Sequence, residues 1–224
     1  RLPISGIDCQ EDRLEMSCIG WGLDSQSYVL EHVVFWGETS QYQVWKDLDE
    51  YLKRRYNRET LPSLPIACVA IDSGYQSQAG KPIAGKSSQS GRQRVQLFPA
   101  GVDTCKETLF SWLQIEEPGP GYIHFSAEME EEYFKQLTSE KRAIKSVRGR
   151  KSVVWVQRRD RNEALDCYNY GLVALHILNP DLERIANKTE PEKEKPENVP
   201  IKEPKQRDLL KERKMPRRNK SFLK

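Results

Sequence analysis

Residues 13 to 21 (RLEMSCIGW) alternate apolar and polar positions, which predicts a strand with one face buried. Gly22-Leu23-Asp24-Ser25 predicts a turn, and residues 27 to 36 (SYVLEHVVFW) predict the next strand of an antiparallel meander. The apolar run Ile4-Ser5-Gly6-Ile7-Asp8 supplies a strand ahead of both. The period then changes. Val44, Trp45, Leu48, Leu52 and Tyr56 recur at three- and four-residue steps, predicting an amphipathic helix over 41–56. Pro62 and Pro65 precede another apolar run, residues 66 to 72, which ends in Asp72.

Residues 73 to 94 are rich in Gly, Ser, Gln and Lys, carry no period, and predict a loop. A short strand is expected at 95–99, then a helix reaching about Leu113 with Asp103 or Thr104 as its N-cap. Glu117-Pro118-Gly119-Pro120-Gly121 predicts a rigid turn, and Tyr122-Ile123-His124-Phe125 an extended piece. Met129, Tyr133, Phe134 and Leu137 place a charged helix over 128–140. Residues 152 to 157 (SVVWVQ) read as a strand, and residues 162 to 178 as the final core helix, closed by Asn179-Pro180.

Charge divides the chain. Residues 188 to 224 hold 13 Lys/Arg against 7 Asp/Glu, whereas the first 187 residues hold 23 against 26. From Lys188 onward the sequence is Pro-, Glu- and Lys-rich and nearly free of aromatics, so a disordered basic tail over 188–224 is expected after a domain over 1–187. Residues 206 to 215 are expected to form a transient helix at most. The five cysteines form no CxxC pair and, with the three histidines, no zinc-ligand spacing, so free buried thiols are expected. No apolar run is long enough to span a bilayer as a helix, and no membrane partner is expected. The chain starts at Arg1 rather than Met, which reads as a piece of a longer polypeptide.

Three acidic positions stand out. Asp8 and Asp72 each end an apolar strand, and Asp166 opens the last apolar stretch. A carboxylate at the end of a buried strand is costly to desolvate unless a cation meets it. Two such strands and a helix carboxylate form a cage of hard oxygen ligands suited to divalent ions, the device that hydrolyses phosphodiesters. The order strand–strand–strand–helix–strand–loop–helix–helix–helix matches an RNase H-like α/β domain, a mixed sheet flanked by helices.

The strings GIDCQEDRLEMSCIGWG, AIDSGYQSQ, GVDTCKETLFSWLQIEEPGPGYIHF, EEYFKQLTSEK and RRDRNEALDCYNYGLVAL together resemble the large terminase subunit of lambda-type tailed phages. The resemblance covers roughly residues 1 to 180. It implies an RNase H-like nuclease domain that cuts concatemeric DNA during genome packaging in the cytoplasm of a bacterial host. It further implies two Mg²⁺ or Mn²⁺ ions, double-stranded DNA as substrate, and the small terminase subunit and the portal protein as partners. The resemblance is to the nuclease region alone, so the ATPase motor domain of that family is not expected in this chain. The family's usual helix and strand after the DSGY motif also have no counterpart, since Gln78 runs almost directly into Ala79-Gly80-Lys81.

By the resemblance, Asp8, Asp72 and Asp166 are the metal ligands; by residue type alone Asp8 also suits a turn cap and Asp72 an Asx-turn. Glu163 lies on the same helical face as Asp166 and is a candidate fourth ligand or water-mediated base, although the helix dipole also favours a glutamate there. Arg158, Arg159 and Arg161 are candidates for the DNA backbone, as is Lys106, which otherwise reads as a solvated lysine. Asp12 is expected to face solvent, His32, His124 and His176 to be structural, and the five tryptophans to be mostly core. Two other readings stay open: a resolvase- or transposase-like nuclease of the same fold, and a catalytically silent packaging scaffold, such as a prophage remnant, that binds portal or DNA through its tail.

Overall fold

The structure, a computed structural model, describes residues 1–57, 62–74, 81–147 and 150–187. The tail expected from Lys188, the transient helix at 206–215 and the junction around Gln78 lie outside these residues.

In chain order the elements are β1 (Leu2–Cys9), β2 (Arg13–Trp21), β3 (Ser27–Trp36), α1 (Tyr42–Leu52), β4 (Arg55–Tyr56), β5 (Leu64–Pro65), β6 (Cys68–Ile71), β7 (Ser88–Ser90), β8 (Val95–Leu97), α2 (Val102–Trp112), β9 (Ile123–Phe125), α3 (Glu131–Leu137), β10 (Glu140–Val147), β11 (Arg150–Gln157), α4 (Glu163–Leu178) and α5 (Leu182–Asn187). Five strands form a mixed sheet in the order β6-β1-β2-β3-β9. β1, β2 and β3 run antiparallel, β6 runs parallel to β1, and β9 parallel to β3.

Side chains alternate across a strand, so Leu2, Ile4, Gly6 and Asp8 share one face of β1. α4 crosses that face. A Cβ on Gly6 would lie 2.0 Å from the Cys167 carbonyl oxygen and 2.3 Å from the Gly171 nitrogen, so only glycine admits the helix here. The larger core gathers on this side, with Ile4, Ile19, Trp21 and Val29 from the sheet against Leu165, Tyr168 and Leu172 from α4. On the opposite face α1 buries Val44 and Leu48 against Ile7, Leu14 and Met16. Each such aliphatic contributes about 1.5–3 kcal/mol by leaving water. α4 ends where Asn179 turns left-handed at φ 43° and its N–H bonds the Leu175 carbonyl at 2.8 Å, just before Pro180.

Several elements depart from the sequence pattern. β2 is buried on both faces, not one, because α4 covers the polar positions as well: Glu15 and Ser17 are both 0% exposed. α1 stops at Leu52, and Tyr56 instead lies in β4, where its hydroxyl donates to Glu31. α2 is capped at Gly101 without a side-chain bond, since the Thr104 hydroxyl donates to the Lys81 carbonyl at 2.7 Å instead. α3 spans only Glu131–Leu137, and Glu140 opens a β-hairpin, β10–β11, of which only the second strand is visible in the pattern. The 73–94 segment is not all loop: Ser88–Ser90 pairs with Val95–Leu97. Trp36 is 68% exposed, unlike the other four tryptophans. All five cysteines are free.

Candidate active site

Asp8 is the penultimate residue of β1, and its side chain sits on the α4 face, 4% exposed. β6 lies parallel to β1, and the Asp72 N–H extends their ladder to the Ile7 carbonyl at 2.9 Å. The fold thus sets Asp72 beside Asp8 at the same sheet end. Behind Asp72 the chain turns through Gly74 (φ 73°), whose N–H bonds the Asp72 carboxylate at 2.9 Å. Because α4 starts over this end of the sheet, its first turn brings Glu163 and Asp166 to the same place. Asn162, just before the helix, donates to Asp166 at 2.8 Å.

Two of these carboxyls are pushed above the usual carboxylate range. Burial pushes Asp8 up to about 6, helped by the negative fields of Asp72, Glu163 and Glu15, although a 2.5 Å hydrogen bond from Gln10 opposes the shift. Burial likewise pushes Asp166 up to about 7; the Lys106 ammonium opposes this, while Asp8 and Glu140 add to it. The Tyr170 phenol, next along α4, is driven up by burial and by Asp72, Asp166 and Asp8. These groups therefore share one electrostatic environment.

Two neighbouring carboxylates are fully paired instead. Glu15 accepts bonds from Arg13 Nε at 2.6 Å, Arg161 Nη2 at 2.7 Å and His32 Nε2 at 3.1 Å. Burial alone would raise it, yet these partners hold it at about 2. Glu163, 5% exposed, accepts from Arg13 Nη2 and, at 3.3 Å, from Arg161 Nε. Arg13 and Arg161 thereby pin the start of α4 to β2.

The structure therefore gathers Asp8, Asp72, Asp166 and Glu163 at one sheet end, with Glu163 already committed to two arginines. Arg161 is tied into that network while its side chain stays 43% exposed. Lys106 is turned inward: it is 8% exposed and donates to both oxygens of Glu140 at 2.7 and 2.8 Å, so it is not a solvated lysine. Arg158 and Arg159 are exposed. Asp12 faces solvent as expected, its side chain 62% exposed and bonded to Arg13. Sequence reasoning passed over Gln10, Arg13, Glu15, Glu140 and Tyr170. A signal existed for Arg13 and Glu15, since two charged residues at a two-residue step in a central strand demand buried partners.

Among the described residues, no three His, Cys, Asp or Glu side chains converge closely enough as they stand to hold one ion. The chemistry of the donor set nevertheless fits a hard divalent cation: all donors are carboxylate oxygens, and burial holds Asp8 and Asp166 above the usual carboxylate range.

A family model described as the endonuclease domain of the terminase large subunit gpA matches residues 2–82 and 76–187. The large terminase subunit of Escherichia phage lambda is 30% identical, over 77% of this chain and 32% of its own length. That of Enterobacteria phage P21 is 25% identical over the same shares. The chain spans about a third of the length of these curated relatives. No solved structure matches it.

Proposed function

The chain belongs to the family of terminase large subunit gpA endonuclease domains, and from that premise we propose that it is a Mg²⁺- or Mn²⁺-dependent endonuclease acting on double-stranded DNA during phage genome packaging. The observation that carries this reading is the placement of Asp8, Asp72 and Asp166 at one sheet end, two of them raised to about 6 and 7. The three-stranded meander, the parallel strand beside β1 and the helix crossing over it support an RNase H-like assignment.

Asp8, Asp72 and Asp166 would hold two ions. When bound, such ions lower the pKa of an attacking water and neutralise the leaving 3′ oxygen. Gln10 fixes one oxygen of Asp8. Arg13 and Arg161 hold Glu163 in place, so it serves the site as a positioned carboxylate rather than as a mobile base. Lys106, held by Glu140, sets the field at Asp166. Hydrolysis forms a bond between water oxygen and phosphorus and breaks the bond from phosphorus to O3′, leaving 3′-hydroxyl and 5′-phosphate ends. Cutting of concatemers with the small terminase subunit and delivery to the portal protein would require the rest of the subunit.

The test is cleavage of supercoiled plasmid with Mg²⁺, Mn²⁺ or EDTA. The wild-type chain nicks only with metal, and Asp8→Asn abolishes nicking by at least a hundredfold. Equal nicking by the variant, or undiminished nicking in EDTA, contradicts the reading.

A further inference from the structure

Residues 141 to 159 contain eight Lys/Arg and no Asp/Glu, in a domain that is otherwise acidic. The structure folds most of this stretch into the β10–β11 hairpin, a two-stranded sheet separate from the central one. Its base is anchored beside the carboxylate site. Glu140, its first residue, clamps Lys106, whose charge acts on Asp166. Trp155 packs against Phe110 of α2 with ring centroids 4.9 Å apart, and the Arg158 N–H bonds the Ser139 carbonyl at 2.7 Å.

Beyond the base, residues 144–146 and 151–153 are exposed. The cross-strand pair Ile144 and Val153 is 73% and 49% exposed. Lys141, Lys145 and Lys151 are exposed and make no ion pair among the described residues, whereas Arg142 reaches Glu107 at 3.6 Å. By the two-residue alternation, Lys141 and Lys145 project from one face of the ribbon and Lys151 from the other.

We propose that the β10–β11 ribbon is an arm that holds duplex DNA, with Lys141, Lys145 and Lys151 contacting backbone phosphates next to the carboxylate site. The proposal rests on the nuclease reading and adds the surface that delivers substrate to it. A two-stranded ribbon fits the major groove of B-DNA, about 12 Å wide. Lysines on both faces then meet the two rows of phosphates that border the groove. Charge fixes the partner class: eight cations without one anion suit a polyanion of regular spacing. The exposed aliphatic pair at the centre suits the sugar and thymine-methyl surface inside a groove.

The experiment measures binding of the full chain to a fluorescent 30-base-pair duplex in EDTA, from 50 to 300 mM KCl. It compares wild type with Lys141→Gln/Lys145→Gln/Lys151→Gln and with the corresponding triple Lys→Arg variant. Losing three phosphate contacts lowers the slope of log affinity against log salt by about 2.7 and weakens binding on the order of a hundredfold at 0.1 M salt. The arginine variant keeps the wild-type slope. If the triple glutamine variant is unfolded by circular dichroism, each single Lys→Gln variant lowers the slope by about 0.9 instead. An unchanged slope overturns the proposal, as does loss of binding to polyglutamate with duplex binding intact, which would mark a site for an acidic protein. The assay needs no metal and no turnover. Failure of the ribbon therefore shows as an unchanged slope while Asp8→Asn still abolishes cleavage, and failure of the nuclease reading as the reverse.

Discussion

Asp8 and Glu15 face each other across β1 and β2, both almost fully buried, yet Asp8 is raised to about 6 while Glu15 is held at about 2. Neighbouring positions with the same functional group thus carry opposite shifts. The difference is counter-charge: Glu15 has Arg13 and Arg161 beside its hydrogen bond from His32, whereas Asp8 has only the neutral amide of Gln10. One carboxylate serves as structure and the other stands where positive charge is missing.

The sign of the pH dependence follows. Asp8 and Asp166 have folded pKa values above their unfolded ones, so their contribution to stability is complete below about pH 4 and is lost as pH rises through 6 to 7. Glu15 acts oppositely: its contribution is present above about pH 4.5 and is lost as pH falls toward 2. His124 and His176, both lowered by burial, also favour the higher pH and are removed by comparing variants. In EDTA, Asp8→Asn should therefore abolish a loss of about 1.4 kcal/mol that wild type suffers between pH 5 and pH 8. Urea unfolding at four pH values checks this; parallel profiles for the two proteins would refute it.

Glu15→Ala strands Arg13 and Arg161 without their most buried partner. Breaking one side of a buried ion network costs about 3–5 kcal/mol. The denaturation midpoint should fall accordingly, whereas Lys53→Ala at the exposed C-cap of α1 should move it little. A midpoint shift below that of the α1 control would show that the network is not holding α4.

Gly6→Ala should be as damaging without touching any charge. The added methyl would overlap the backbone of α4 at Cys167 and Gly171, so the helix must shift away from β1. A loss of at least about 3 kcal/mol is expected, along with cleavage at permissive temperature, because α4 carries Asp166. Native stability in this variant would contradict the close crossing.

Lys106 and Glu140 push Asp166 in opposite directions. Lys106→Met removes the cation and should move the acidic limb of the cleavage pH profile upward, whereas Glu140→Gln should move it downward, each by about a unit. A purely structural role would lower the rate without moving the limb.

Much of this site was legible in the sequence, and the part that was not has a physical reason. Asp8 and Asp72 were readable because each ends an apolar run, and α4 because its apolar residues recur over sixteen positions. The demand of Glu15 for buried partners could be read from β2, but not the partners themselves, because alternation within a strand cannot reveal a helix covering the polar face. β10 was missed because its ladder depends on partners in β11 and on Trp155 against Phe110, while the apolar spacing of α3 runs on toward Glu140. The Lys106–Glu140 pair joins residues 34 positions apart, which no local pattern shows.

The most direct measurement is calorimetric titration of Mn²⁺ into the full chain at pH 7.5, repeated with Asp8→Asn, Asp72→Asn and Asp166→Asn. If the carboxylates form the cation site, wild type binds two ions, with proton release on binding, and each variant loses at least one of them or weakens it tenfold or more. Wild-type binding in all three variants, or no binding by a folded wild-type chain, would contradict the account.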